Sequence, residues 1–350
     1  MTTLSDVALK AGVSTMTVSR VVNGSAHISE ATRQRVNSAI AELGYMPNGP
    51  ARQLRSNRTK TIALVVTDIR NPFFTTVAGG VEDTARSQGY VVMFCSTYEN
   101  ETVEAEYIRA LIERRVDGVL LVPASGGGAS VRLLKQRGIP TVLVDRHIEN
   151  VEADEVRGAS RAGARAGILH LIGLGHRRVA MLTGPEAVST SSDRVAGYLD
   201  ALKEACPDAE CGPIRYGEFS EESGYRMACD VLSTTPRPTA IFAANNFIAF
   251  GALRAIREAG LRIPEDVSML VFDDLPSGWT QDPYLSAVGQ PAYEIGTEAA
   301  ALLLKRLAGE LTEEPCHILL PTELVVRRSS APPQANSATP ATETLSAGGV

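Results

Sequence analysis

The chain lacks the marks of export. It does not open on a basic segment followed by an apolar run, so no secretory signal is expected. No apolar run is long enough to span a bilayer, so no membrane partner is expected. Cysteine is scarce and odd in number, five in 350 residues at Cys95, Cys206, Cys211, Cys229 and Cys316. That usage argues against a disulfide framework and fits a cytoplasmic protein. Cys206 and Cys211 lie close, but no His or third Cys joins them, so no metal site is expected. The motifs of common enzymes are missing too. There is no Gly-x-x-x-x-Gly-Lys phosphate loop and no Gly-x-Ser-x-Gly elbow. Gly126-Gly127-Gly128 lacks the lysine, and the adjacent Asp273-Asp274 point apart unless a turn bends them together. No catalytic residue and no cofactor is expected.

What is present is a packed protein with a lopsided charge. The composition is 44% hydrophobic and 21% charged, and the length allows two or three domains. The formal net charge is −6. Residues 1–60 carry eight Lys/Arg against three acids, +5, which leaves −11 for the remainder. A basic head on an acidic body suggests that only the head meets a polyanion.

Three short helices are expected in the head. The first runs from Leu4 to Ala11, with Thr3 and Asp6 at capping-box spacing, and ends at Gly12. The second follows Ser14, a ready N-cap. Val18, Val21 and Val22 fall on its inner side, and Thr15, Met16, Thr17, Ser19 and Arg20 on the outer. The third starts after Ser29 and stops at Gly44. Helix, glycine-containing turn, helix is the helix-turn-helix pattern. Its outer face suits a major groove, where hydroxyls reach phosphates and arginine reads guanine.

The run Thr3-Leu4-Ser5-Asp6-Val7-Ala8, Ala11-Gly12-Val13-Ser14, Thr17-Val18-Ser19-Arg20-Val21-Val22-Asn23 resembles the lactose-repressor (LacI/GalR) family of bacterial regulators. The likeness continues through Gly44-Tyr45 and Pro47-Asn48. It implies that Arg20 reads a base and that Thr15 and Met16 carry operator specificity. Thr17, Ser19, Asn23 and His27 are then phosphate contacts, and Ser14, the N-cap, counts among the DNA-binding residues; for His27 a solvated loop residue is the alternative. Residues 47–60 read on their own as a linker, since a two-turn helix is not stable alone. The resemblance implies a hinge helix there, with Asn48 as cap, Ala51 at the DNA and Leu54 wedged into the minor groove. Gly49-Pro50 departs from the usual pair.

From Thr61 apolar strands alternate with helix-length segments. Strands are expected at 61–67, 90–95, 118–122, 141–144, 179–183, 214–217, 240–243, 267–272, 317–320 and 324–327. Helices are expected at 75–88, 101–114, 129–137, 160–174, 193–205, 221–232, 247–259 and 295–307. Two such series predict two doubly wound α/β lobes with a ligand cleft at the carboxyl ends of the strands.

The body is similar to the effector domain of the same family, which shares its fold with periplasmic sugar-binding proteins. The likeness rests on Asn71-Pro72-Phe73-Phe74, Arg115-Val116-Asp117-Gly118, Leu174-Gly175-His176-Arg177-Arg178, Ile263-Pro264-Glu265-Asp266-Val267-Ser268 and Gln290-Pro291. It implies that Arg194, Asp273, Asn245 and Asp145 bind a small effector, with Phe74 and Phe219 stacking on its apolar face and Gln290 at the lobe crossover. A sugar suits that polar set. The rim departs from the family's pattern at Ala159-Ser160, Asn245-Asn246 and Val271-Phe272. From Ser329 the composition is too poor in large apolar residues to fold, so 330–350 is expected to be a disordered tail without a coiled coil.

The expected organisation is therefore a helix-turn-helix domain at 1–46, a hinge at 47–60 and a two-lobed effector-binding and dimerisation domain at 61–329. The expected function is sequence-specific regulation of transcription, repression foremost, by a homodimer on a palindromic operator. A corepressor-dependent or activating regulator stays open. A transporter's solute-binding protein and a sugar-metabolising enzyme are the more distant alternatives.

Overall fold

The structure, a computed structural model, describes residues 2–22, 28–45, 58–124, 128–205, 212–275, 284–311 and 314–334. The chain divides into two compact units, Met1–Thr59 and Lys60–Val350.

In the head, α1 (Leu4–Ala11), α2 (Thr15–Val22) and α3 (Glu30–Leu43) form as the caps require. The Thr3 amide donates to Asp6 Oδ2 at 2.8 Å, while the Asp6 amide donates to Thr3 Oγ1 at 3.3 Å. Gly12 (φ 65°) and Gly44 (φ 57°) end α1 and α3 in the left-handed region, which only glycine adopts freely. Val7, Ala8, Ala11, Val18, Val21, Val36, Ala39 and Tyr45 are buried together. Val22, expected inside, is half-buried at their edge.

The first lobe of the body contains β1 (Thr61–Val66), α4 (Pro72–Ser87), β2 (Val91–Ser96), α5 (Glu101–Glu113), β3 (Gly118–Leu121), α6 (Ala129–Gln136), β4 (Thr141–Val144) and β5 (Asp154–Gly158). The second contains α7 (Ser160–Gly173), β6 (Val179–Thr183), α8 (Ser189–Ala205), β7 (Ile214–Tyr216), α9 (Glu221–Leu232), β8 (Ala240–Ala243), α10 (Asn246–Glu258), β9 (Ser268–Phe272) and β10 (Ser286–Gly289). The chain then returns to the first lobe for α11 (Ala292–Ala308) and β11 (His317–Leu320), and ends in the second with β12 (Glu323–Val325). The sheets run β11-β5-β4-β3-β1-β2 and β12-β10-β9-β8-β6-β7. Every pairing is parallel except β10–β12. The lobes are thus joined at three places, near residues 159, 290 and 322.

Two strands were not anticipated, β5 and β10. Asp154-Glu155-Val156-Arg157-Gly158 carries too much charge to read as a buried strand. Its acids are accommodated by partners far along the chain. Asp154 accepts from Arg306 Nε and Nη2 at 2.8 and 2.7 Å and from the Cys316 amide at 2.8 Å. Ser286-Ala287-Val288-Gly289 has only small side chains. Three helices begin earlier than expected. Asn71 caps α4 by accepting from the Phe73 amide at 3.0 Å, so that helix starts at Pro72. Helices α8 and α11 start at Ser189 and Ala292.

The composition-based tail begins too early. Ser329 is fully buried, donates to Met269 O at 2.6 Å and accepts from the Ser286 amide at 2.7 Å. Ser330 sits 3.0 Å from His170 Nε2, and the Ala331 amide donates to Ser268 Oγ at 3.0 Å. Backbone pairing and small hydroxyls hold this stretch, neither of which a hydropathy reading detects. Residues 335–350 lie outside the described residues.

Each lobe is tightened by helix pairs that cross on glycine. A Cβ on Gly80 of α4 would lie 2.1 Å from Tyr293 O, and one on Gly296 of α11 2.1 Å from Val77 O. Gly224 and Gly251 do the same for α9 and α10, and Gly197 for α8 against α7. Backbone cannot give way as a side chain can. Gly296→Ala is therefore expected to destabilise the body by about 1–3 kcal/mol, the range for overpacking. Gly173→Ala, where nothing stands within 4 Å of the added Cβ, is expected to be neutral or mildly stabilising. Denaturant midpoints of the two variants check both.

Candidate functional site

On the head, α2 presents the predicted face. Thr15, Met16 and Arg20 are exposed, as is Ser14 just before the helix, while Thr17 and Ser19 are half-buried. Ser14 has a structural duty as well. Its Oγ accepts from the Thr17 amide at 3.2 Å and lies 2.9 Å from the Thr17 hydroxyl. The freely presented groups are therefore a hydroxyl, a thioether and a guanidinium within two turns. Asn23, His27, Asn48, Ala51 and Leu54 lie outside the described residues.

The body has a cleft of about 470 Å³ between its lobes. It forms where the strand order reverses in both sheets, at the carboxyl ends of β1, β4, β8 and β9. Six of the seven predicted effector residues line it: Phe74, Asp145, Arg194, Phe219, Asn245 and Asp273. Asp145 follows β4 and Asp273 follows β9, each with the backbone turned to positive φ, 66° and 73°. Tyr98 and Glu99, also at the cleft, stand at 53° and 58°. Four strained non-glycine residues around one cavity mark a site whose side chains are aimed by the fold.

At the centre, Asp145 of the first lobe faces Arg194 and Asp273 of the second, all three buried. Burial pushes the Asp145 carboxyl up to about 6, against the pull of Arg194 and Arg146. Burial raises Asp273 also, opposed by Arg194 and by the Gln290 amide. Burial lowers Arg194 despite both carboxylates. The Arg194 guanidinium stacks 3.8 Å from the Phe272 ring centroid and donates to Ala244 O. Asp145 Oδ1, Arg194 Nε, Arg146 Nε and Thr67 Oγ1 are buried without a hydrogen-bond partner. Unmatched buried groups are costly, so their gathering along one cleft marks it as built for polar company.

Asn245 does two jobs. Its Oδ1 accepts from the Ile248 amide at 2.8 Å, capping α10, while the residue also lines the cleft. Phe74 is likewise both core and wall, edge-on to Phe73 at 5.1 Å. Phe219 packs flat under Gly184, where an added Cβ would fall 2.2 Å from its ring. Gln290 is the exception. It sits behind the cleft, in a rear groove at the crossover, and donates to Asp273 Oδ1 at 2.6 Å. It holds Asp273 from behind rather than forming the wall.

The sequence reading missed Arg146, Glu99, Tyr98 and Thr190, which also line the cleft. Arg146 donates to Glu99 through Nη1 and Nη2, both at 2.7 Å, and to Pro123 O at 2.8 Å. Burial pulls the guanidinium down, but the Glu99 charge and hydrogen bonds outweigh it and the net shift is upward. A charged dipeptide ending the apolar run Val142-Leu143-Val144 was a legible signal for Arg146. Glu99 had none, since its partner lies 47 residues away.

Comparison with known proteins fits this geometry. Residues 3–48 match the pattern of bacterial regulatory proteins of the lacI family, and residues 168–330 a periplasmic binding protein-like domain. The chain is 36% identical over 308 residues to the HTH-type transcriptional repressor PurR of Vibrio atlanticus (strain LGP32), covering 88% of this chain and 92% of that one. It superposes on a transcriptional regulator CelR–cellobiose complex with TM-score 0.71 at 34% identity, covering 94% and 100% of the two chains. Against a lac repressor dimer bound to operator and the anti-inducer ONPF, the TM-score is 0.83 at 28% identity, covering 94% and 99%. A helix-turn-helix head, two α/β lobes and relatives matched over nearly their whole length lead to one assignment: the chain belongs to the lacI family of bacterial regulatory proteins and is a DNA-binding transcriptional regulator, not an enzyme.

Proposed function

We propose that the protein is a cytoplasmic repressor that binds a palindromic operator as a homodimer and is controlled by a neutral sugar held between its lobes. The observation that carries the sugar reading is the buried Asp145–Arg194–Asp273 set with its unmatched polar atoms. Carboxylates accept from hydroxyls and a guanidinium donates to them, so paired hydroxyl groups satisfy both. Glu99 neutralises Arg146, and two carboxylates outnumber Arg194, which disfavours an anionic ligand. Phe74 and Phe219 supply apolar faces for a ring. Cellobiose in the CelR complex and ribose in a related Enterococcus faecium regulator are in keeping with this ligand class.

On the DNA, Arg20 reads a guanine, Thr15 and Met16 set what is particular to the operator, and Ser14, Thr17, Ser19, Asn23 and His27 meet the backbone. Asn48, Ala51 and Leu54 belong to a hinge helix that orders on DNA, with Leu54 as the minor-groove wedge. Effector and operator then favour different lobe arrangements, and linkage makes their influence reciprocal.

A thermal-shift screen of sugars, sugar phosphates and nucleosides tests the ligand class, since a ligand of the folded state raises its melting temperature. Nucleosides as the only hits would overturn the sugar reading. Repeating the screen with operator DNA gives the sign of the coupling. The Asp145 carboxyl stands near 6 and must be ionised to accept from two hydroxyls. Protons therefore compete with the sugar. Affinity is expected to fall about tenfold from pH 7.5 to 5 by the same linkage, with proton release on binding near pH 6. Calorimetry in two buffers reads both, and Asp145→Asn is expected to bind weakly and without the pH slope. Arg20→Ala is expected to cost ~1–3 kcal/mol at one base pair of a selected operator and little elsewhere. Leu54→Ala is expected to weaken operator binding strongly while sugar affinity holds; unchanged DNA affinity would sink the wedge role.

A further inference from the structure

The cleft is larger than its buried charges need. Its ~470 Å³ equals roughly 16 waters at ~30 Å³ each, and one pyranose with its hydroxyls leaves much of that unfilled. Beside the buried Asp145 and Asp273 the lining includes the half-buried Asp68 and Ser220 and the exposed Arg70 and Tyr98. The outer end therefore has its own side chains.

Tyr98 is the one that calls for a reason. It is 57% exposed yet stands in the left-handed region, where a bulky residue is disfavoured. The backbone around it is fastened. The Thr97 amide donates to Val66 O at 2.9 Å, the Tyr98 amide to Thr67 O at 2.6 Å and the Asn100 amide to Thr97 O at 3.0 Å. Glu99 is clamped by Arg146. The ring is steadied as well. Arg70 lies 5.4 Å from its centroid and is itself fixed by Asp68, with Nη2 donating at 2.7 Å and Nε at 3.0 Å. An exposed aromatic side chain, on strained and anchored backbone at a cavity mouth, is a preorganised stacking surface.

We infer that the cleft takes a ligand of two sugar rings, the inner ring on the Asp145–Arg194–Asp273 set and the outer ring stacked on Tyr98. This rests on the sugar reading above. Among the described residues no hydrogen bond joins the Tyr98 or Arg70 side chain to the Asp145–Arg194–Asp273 set, so removing the Tyr98 ring leaves the hydrogen bonds of that set in place. The outer ring adds apolar contact and excludes water, while the inner ring supplies the hydroxyls that match the buried groups.

Calorimetry on the full chain tests this with matched probes: glucose against cellobiose and maltose, and galactose against lactose and melibiose. One disaccharide is expected to bind at least tenfold more tightly than its component ring. In Tyr98→Asn, which removes the ring but suits the left-handed backbone, that ratio is expected to collapse towards one; in Tyr98→Phe it is expected to persist. A monosaccharide that binds as tightly as every disaccharide would overturn the two-ring ligand and leave the sugar reading standing. A ratio untouched by Tyr98→Asn would overturn the role of Tyr98. Binding by none of these sugars, with nucleosides binding instead, overturns both readings together. The comparison on the unaltered chain decides the ligand size even if a variant does not fold.

Discussion

Two carboxylates and one guanidinium buried where the lobes meet set the terms for the rest of the molecule. Asp145 comes from the first lobe, Arg194 and Asp273 from the second. All three are buried at the floor of the cleft, and burial shifts each of them towards neutrality. Such an arrangement persists only when each group is held by backbone that has no other choice, because a removed partner leaves an uncompensated charge. The strand ends provide that hold. The Asp145 amide donates to Val156 O and the Asp273 amide to Val288 O, both at 2.9 Å, so each aspartate is pinned by a strand neighbouring its own. Those two neighbours are β5 and β10, the strands from which the chain crosses between lobes.

This places the crossovers next to the cleft. Gln290, on the second crossover, donates to Asp273 and lies against the first, where a Cβ on Gly158 would fall 1.9 Å from its Oε1. The lobes themselves are stiffened by helix pairs that touch backbone to backbone at Gly80, Gly296, Gly224 and Gly251. Stiff lobes joined by three short crossovers have the architecture on which hinge closure is built.

The two-lobed architecture was legible because its signals are local. Apolar tetrads such as Val142-Leu143-Val144 after Thr141, helix caps at Thr3, Ser14 and Ser29, and glycines at Gly12 and Gly44 are read from a few neighbouring residues. The family resemblance pointed to Asp145, Asn245 and Asp273, which follow strands and line the cleft. What escaped was long-range. Strand β5 is a strand because Arg306 and Cys316, more than 150 positions on, satisfy Asp154. Glu99 is held at the site by Arg146, and Gln290 was expected at the crossover without any local sign that it would reach the cleft only through Asp273. Ser329 is buried without being apolar, which hydropathy cannot anticipate.

The contacts that bridge the lobes also limit what any effector can accomplish. The His147 amide donates to Ser189 Oγ at 3.0 Å, Arg157 pairs with Asp193 at 3.2 Å, and Arg146 lies 5.3 Å from the Phe219 ring centroid. Together with Asp145 facing Arg194, these define one lobe arrangement. A ligand that touched a single lobe would bind both arrangements equally and shift neither, however tightly it bound. A ligand that engaged Asp145 and the Arg194–Asp273 pair at once would distinguish the two arrangements. Dividing the charges between the lobes, rather than gathering them on one, is what makes that distinction available to a single small molecule.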